Sequence, residues 1–209
     1  MSANRFDRAA ADWDKKDQRV LLAAAIAGGI ATLPLHPAME ALEYGCGTGL
    51  VGLALAPQLK SLTAADSSPG MLATLSDKIA AAGLTNVYPL HLDLHNEICP
   101  RQFDLIFLAM TLHHLADVGS IIEKLVIGLK TGGYIALADL ESEDGSFHGD
   151  NTESVMHHGF DRDELGGTLR RLGCSIIRTQ TVHTVVKPNA AGVEQPYPVF
   201  LLTAKKELR

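Results

Sequence analysis

The stretch Ala41-Leu42-Glu43-Tyr44-Gly45-Cys46-Gly47-Thr48-Gly49-Leu50 decides the fold. A short apolar run, Met39–Tyr44, stops at glycines on alternate positions. The segment Gly49–Ala56 then reads as a helix, ended by Pro57. A strand that enters a helix through glycines opens a doubly wound α/β sheet. Glycine adopts backbone angles closed to other residues and lets a ligand approach the main chain. The helix that follows presents unpaired N–H groups at its first turn.

The same alternation continues downstream. Ser61–Ala65 reads as a second strand, and Ser68–Pro69 supplies an N-cap with proline at the first helical position. The helix Pro69–Ala82 stops at Gly83. Asn86–His91 and Phe103–Ala109 are further strands, the latter a continuous apolar run of the kind buried on both faces. Val118, Ile121, Ile122, Leu125, Val126 and Leu129 form one helical stripe, which predicts a helix over Val118–Lys130, stopped by Thr131-Gly132-Gly133. Tyr134–Leu140 is a fifth strand, and Glu141–Gly159 reads as a long polar loop. Asp161 and Glu164 resemble a capping box before a helix marked by Leu165, Leu169 and Leu172 and stopped at Gly173. Cys174–Val186 and Val199–Ala204 have no helix between them, so they pair antiparallel through the Pro188–Pro198 loop. The expected fold is a Rossmann-like, doubly wound α/β sheet of seven strands, mostly parallel with an antiparallel C-terminal strand. Residues 1–209 read as a single domain: a helical cap over 1–35, free to cover the ligand edge of the sheet, and a core over 36–209.

Composition bounds the function. The 209 residues carry a formal charge of −6, which does not favour phosphate backbones or anionic membranes. The basic cluster Arg162, Arg170, Arg171 and Arg178 is interrupted by Asp163 and Glu164 and reads as a solvated helix face. Cys46, Cys99 and Cys174 form no disulfide framework and no CxxC metal pair, which points to a reducing compartment. The charged N-terminus is unlike a signal peptide. The apolar run Val20–Leu33 is shorter than the ~20 residues that span a bilayer. These features predict a cytoplasmic protein without nucleic-acid or membrane partners.

Two cofactors compete for the glycine turn. Gly47-Thr48-Gly49-Leu50-Val51-Gly52 satisfies G-x-G-x-x-G, and Asp66 follows at a distance that suits the ribose acid of a dinucleotide site. That reading is an NAD(P)-dependent oxidoreductase. The glycine series, however, begins at Gly45, two residues after Glu43. This E-x-G-x-G-x-G arrangement resembles the first motif of class I S-adenosylmethionine-dependent methyltransferases. Asp66-Ser67-Ser68-Pro69-Gly70-Met71-Leu72 resembles that family's ribose-binding stretch, and a carboxylate accepts two hydroxyl donors well. His91-Leu92-Asp93-Leu94 resembles its adenine-contacting strand end. Phe103-Asp104-Leu105-Ile106 resembles its fourth strand, leading through Ala109 and Met110 to the active-site edge. Phe6-Asp7-Arg8-Ala9-Ala10-Ala11-Asp12-Trp13-Asp14 resembles the segment that caps the cofactor in small bacterial-type members.

The resemblance implies S-adenosylmethionine as cofactor. It implies contacts from Glu43, Gly45, Cys46, Gly47, Gly49, Asp66, Ser67, Met71, Asp93, Leu94, Ala109 and Met110, with Trp13 as a lid residue or a plain packing residue. The Asn/Asp-Pro-Pro-Tyr/Phe signature of amino-directed enzymes is absent after the fourth strand, so the acceptor is expected to be a small molecule. A non-catalytic protein that binds the same cofactor remains an alternative.

Methyl transfer asks the protein for orientation, a dry pocket and, for some acceptors, a base. His113 and His114 follow the fourth strand at the edge where open α/β sheets bind ligands. His114 is the first candidate for a base or acceptor-orienting group, with His113 and His148 beside it; the alternative is that the pair caps a turn. Asp139 and Glu141 end the fifth strand and either orient a histidine, hold a cationic acceptor or open a solvated loop. Glu143, His148, His157 and His158 lack metal-ligand spacing, so no metal is expected.

Overall fold

The computed structural model describes residues 3–99, 101–149, 152–189 and 191–208. Helix α1 (Ala3–Ala9) runs through a 3-10 segment, Ala10–Lys15, into α2 (Asp17–Ile30). Strand β1 (Glu40–Tyr44) leads into α3 (Gly52–Leu55), β2 (Ser61–Asp66) into α4 (Pro69–Ala82), and β3 (Val87–His91) towards β4 (Phe103–Ala109). Helix α5 (Val118–Ile127), β5 (Leu129–Leu140), α6 (Arg162–Arg171), β6 (Cys174–Pro188) and β7 (Glu194–Lys206) follow. The strands form one sheet in the order β3-β2-β1-β4-β5-β7-β6. It is parallel from β3 to β5, and β7 is antiparallel to both β5 and β6.

Alternation along the strands feeds two cores. Ala41, Leu105, Phe107, Ala136 and Ala138 face one side, with α2, α3 and α4. Leu42, Ile106, Leu108, Ile135 and Leu137 face the other, with α5 and α6. Fully burying one such side chain stabilises the fold by about 1.5–3 kcal/mol. The chain reverses from β1 to β4 at the centre of the sheet, and the crevice beyond their carboxyl ends is the place where open α/β sheets take ligands. Among the described residues no helix is long and apolar enough to cross a membrane.

Four boundaries differ from the sequence reading. The helical stripe overruns α5, because Leu129 already pairs with Phe103 as the first residue of β5. Strand β7 begins at Glu194, not Val199, so most of the expected Pro188–Pro198 loop is hairpin. The helix after the glycine turn is a single α turn, and Pro57 continues it as a 3-10 turn over Ala56–Gln58 instead of ending it. The long loop contains a 3-10 turn, Ser146–His148. At α6 only half of the capping box forms: Asp161 accepts from Asp163 N–H and Glu164 N–H. Arg162 is not simply solvated; it pairs with Glu141 and donates to Thr181 Oγ1 at 3.0 Å.

Candidate active site

The glycine turn is held by the strand beside it. Gly45 N–H and Cys46 N–H both donate to Ala65 O, at 2.8 and 3.0 Å. Gly45, Gly47 and Gly49 have φ of +74°, +53° and +82°, angles that strain any side-chain-bearing residue. Gly47 N–H donates to Asp66 Oδ2 at 2.8 Å, and Ser68 N–H donates to Asp66 Oδ1 at 2.8 Å. Asp66 therefore ties the glycine turn to the start of α4. The Ser67 main chain is a third donor to it, which leaves the carboxylate with acceptor capacity for a further hydroxyl. Burial pushes the Asp66 carboxyl up, against the main-chain donors that favour its charged form.

Behind the turn lies Glu43, buried, with Oε2 lacking a hydrogen-bond partner. Burial first, and then the nearby Asp66, push its carboxyl up to about 8. A Cβ added at Gly52 would sit 2.1 Å from this Oε2, so the third glycine of the dinucleotide pattern makes room for Glu43. Cys46 is buried, and burial pushes its thiol up, which suits a small packing residue and not a nucleophile. Met71 is buried in α4, with Sδ 4.0 Å from where a Gly47 Cβ would stand. Ser67 is exposed beside Asp66.

The remaining expected contacts surround the same edge. Asp93 Oδ1 and Oδ2 accept from His95 N–H and Asn96 Nδ2, so the carboxylate caps its own turn. Leu94 is fully buried and its N–H donates to Tyr44 Oη. Ala109 and Met110 end β4; Met110 is the one non-glycine residue of positive φ among those described, at +54°. Thr111 packs over Gly45 and closes the crevice from that side.

The N-terminal segment is strapped across the edge by two carboxylates. Asp7 Oδ1 accepts from Ser68 Oγ at 2.6 Å and from Gly70 N–H at 2.8 Å. Asp14 accepts from Thr48 Oγ1 at 2.5 Å and from Lys78 Nζ at 2.7 Å, and Lys78 also donates to Thr48 O. Trp13 is half-buried; Phe6 meets it edge-on and the Arg19 guanidinium lies 3.6 Å over its ring. Sequence reasoning placed this segment near the edge but missed Asp7, Asp14, Thr48 and Lys78 as its fasteners. No local signal marks partners separated by so much chain.

The histidines converge at the ends of β4 and β5. His113 Nδ1 lies 2.6 Å from Asp139 Oδ1, and both residues are buried. His114 lies 4.0 Å from the His113 ring centre, and His148 5.0 Å from it. His114 Nδ1 is 2.6 Å from Ser154 O. Burial and the neighbouring His113 hold His114 down to about 3; burial, His113, Lys187 and Arg5 hold His148 down to about 4. Phe6 covers His114 and Phe147 covers His148. Tyr197, from β7, meets Phe147 edge-on and hydrogen-bonds Ser146 Oγ at 2.6 Å, while Lys187 lies 3.8 Å over the Phe147 ring. Tyr197 went unread because it stands in the Pro188–Pro198 stretch expected to be loop. The His157 ring turns to Leu115 O while its main-chain N–H donates to His113 O, and His158 faces Glu143. Among the described residues no three of His, Cys, Asp and Glu are placed to hold one metal ion.

Comparison with known proteins agrees with this geometry. Residues 41–133, from the glycine turn to the start of β5, match the profile of a methyltransferase domain family. An uncharacterized methyltransferase of Schizosaccharomyces pombe is 30% identical over 58% of this chain and 48% of its own length. The chain spans under half the length of the curated relatives it matches. A Haloferax volcanii methyltransferase, solved with the Trm112 methyltransferase activator, superposes with a TM-score of 0.82 over 100% of this chain and 99% of its own, at 18% identity. DhpI, solved as a complex with S-adenosylhomocysteine (SAH), superposes with a TM-score of 0.73 over 99% of this chain and 96% of its own, at 21% identity. The fold is the one found in solved S-adenosylmethionine-dependent methyltransferases. The match to a methyltransferase domain covers the central segment, less than half of the chain.

The residues fit that cofactor. Gly47 leaves open space where a side chain would stand, and Asp66 has acceptor capacity to spare beside it. The orphaned Glu43 carboxyl behind the turn can ionise next to a cationic ligand.

Proposed function

We propose that this protein transfers the methyl group of S-adenosylmethionine to a small-molecule acceptor at the carboxyl edge of β1, β4 and β5. The observation that carries the reading is Asp66, whose carboxylate spans the positive-φ glycine turn and the start of α4 at the carboxyl end of β2. Bound there, the cofactor supplies a methyl group on a positively charged sulfonium and departs as a neutral thioether, so the leaving group needs no acid.

The chain's own residues then bind, orient and exclude water. Asp66 accepts from the ribose, the glycine turn offers its main chain, and Asp93 with Leu94 borders the adenine. Ser67, Met71, Ala109 and Met110 line the crevice, and Cys46 keeps the turn thin. Trp13 and Phe6 close it from the N-terminal side. His113, His114 and His148 line the acceptor side, under Phe6 and Phe147. Histidines covered by Phe6 and Phe147 suit a small acceptor better than a polymer, and the net charge of −6 agrees.

Calorimetric titration with S-adenosylmethionine, S-adenosylhomocysteine and NAD tests the reading. Both adenosyl ligands should bind, and Asp66→Asn should weaken them by about 100-fold, the loss of a hydrogen bond to a charged acceptor. Binding of NAD alone would overturn the assignment in favour of an oxidoreductase. Tight adenosyl binding without product from any acceptor would favour a non-catalytic role.

A further inference from the structure

We propose that Glu43 reads the charge of the cofactor: it gives up its proton when S-adenosylmethionine binds and keeps it when S-adenosylhomocysteine binds. This rests on the methyltransferase reading above and gives a role to a buried carboxyl that methyl transfer itself does not use.

Glu43 and Asp66 are two carboxyls under one glycine turn, and the fold supplies a full set of donors to only one of them. Asp66 receives Gly47 N–H and Ser68 N–H, each at 2.8 Å, with the Ser67 main chain as a third donor. Glu43 is 2% exposed; the Gly52 main chain favours its charged form, yet Oε2 has no donor. Its register partners, Ala64 on β2 and Phe107 on β4, are apolar, as is Leu62 beside Gly52. The cation whose field reaches it, Lys78 from α4, is tied to Asp14 Oδ2 at 2.7 Å and to Thr48 O at 2.8 Å. Burial keeps the Cys46 thiol protonated beside it. A buried carboxyl without a full set of partners takes a proton instead of standing ionised. Of the two, Asp66 therefore keeps the charge and Glu43 the proton.

The two forms of the cofactor differ in net charge. S-adenosylmethionine carries a sulfonium, an α-ammonium and a carboxylate, and is positive overall. S-adenosylhomocysteine carries only the last two and is neutral overall. A positive ligand against the glycine turn lowers the cost of a charge on Glu43, because a buried pair is screened little by water. A neutral ligand leaves that cost in place. Gly52 keeps the carboxyl at this station, since a Cβ there would sit 2.1 Å from Oε2.

The proton passes from Glu43 to bulk water, and no other bond of the protein changes. Binding that releases a proton strengthens as pH rises, by at most about tenfold per pH unit for one proton. The rise ends near 8, where Glu43 of the unliganded protein ionises unaided. S-adenosylmethionine therefore gains on S-adenosylhomocysteine as pH climbs to that value. After transfer Glu43 takes a proton back, and the hold that its charge gave on the ligand is gone. The carboxyl thus sets how strongly spent cofactor competes with new cofactor.

Calorimetry on the full chain counts the proton. At pH 7, titrations with S-adenosylmethionine in phosphate and in Tris should differ by the buffer heat of roughly half a proton or more released, and those with S-adenosylhomocysteine by almost none. From pH 6 to pH 7, below the range where the ligands' α-amino groups titrate, S-adenosylmethionine should tighten by roughly three- to tenfold and S-adenosylhomocysteine by less than about twofold. Glu43→Gln fixes the neutral form and should abolish both the proton release and the pH dependence. Difference infrared spectra of the wild-type protein need no variant: the protonated carboxyl band should fall with S-adenosylmethionine and persist with S-adenosylhomocysteine. Equal proton release by the two ligands, none with S-adenosylmethionine, or release that survives Glu43→Gln overturns the proposal. Failure of the wild type to bind either adenosyl ligand would instead overturn the methyltransferase reading.

Discussion

Glu43 and Met110 show how much a single position here departs from its ordinary chemistry. In the unfolded chain Glu43 ionises near 4.5, whereas in the fold it holds its proton up to about 8. Between those values unfolding releases a proton, so stability falls as pH rises across the window and levels off above it. Glu43→Gln keeps the neutral shape and removes this slope. Its melting temperature should gain on the wild type from pH 5 to pH 8, by a stabilisation on the order of a few kcal/mol at the upper end. Met110 sits at φ +54°, a conformation that costs an ordinary L-residue about 1 kcal/mol or more. Denaturant titration should show Met110→Val losing about 2 kcal/mol and Met110→Gly less than half of that, although glycine removes more apolar surface. The glycines around Glu43 announce themselves in the sequence because only their backbone freedom explains them. The strain at Met110 does not, since nothing in a methionine's identity reports its φ.

At the scale of elements, legibility follows the range of the forces. Strands β1, β2 and β4 are apolar runs buried on both faces, and their identity is local information. Leu129 satisfies both the stripe of α5 and the first pairing of β5, so the stripe alone cannot place the boundary. Pro196 and Pro198 disguise the start of β7. They are tolerated because this part of β7 pairs with β6 before β5 joins at Val199, leaving one edge free of donors to satisfy. The N-terminal elements depend on long-range side-chain bonds, Asp7 to the start of α4 and Asp14 to Thr48 and Lys78. Asp7→Ala with Asp14→Ala should therefore free residues 3–15 selectively. Hydrogen exchange there should speed up while β1, β2 and β4 stay protected, and S-adenosylhomocysteine should dissociate faster.

Across the whole molecule, the candidate site draws on residues from Phe6 to Tyr197, and only its central part is contiguous enough to be read as motifs. The sheet treats its two margins differently. On β3, alternate N–H groups point to β2, the series closing with Leu92 N–H on Asp66 O, so Pro89 falls on the outward side, where it denies a donor to any further strand. At the other margin β7 lies between β5 and β6. That order sets a timetable for biosynthesis. As the chain leaves the ribosome β6 emerges with no strand to join, and β5 keeps a bare edge over Tyr134–Leu140 until the last strand arrives to fill the gap. The unfinished protein thus exposes the buried half of β5 for the time that translation takes to pass Lys206, and this interval is when it most needs a chaperone.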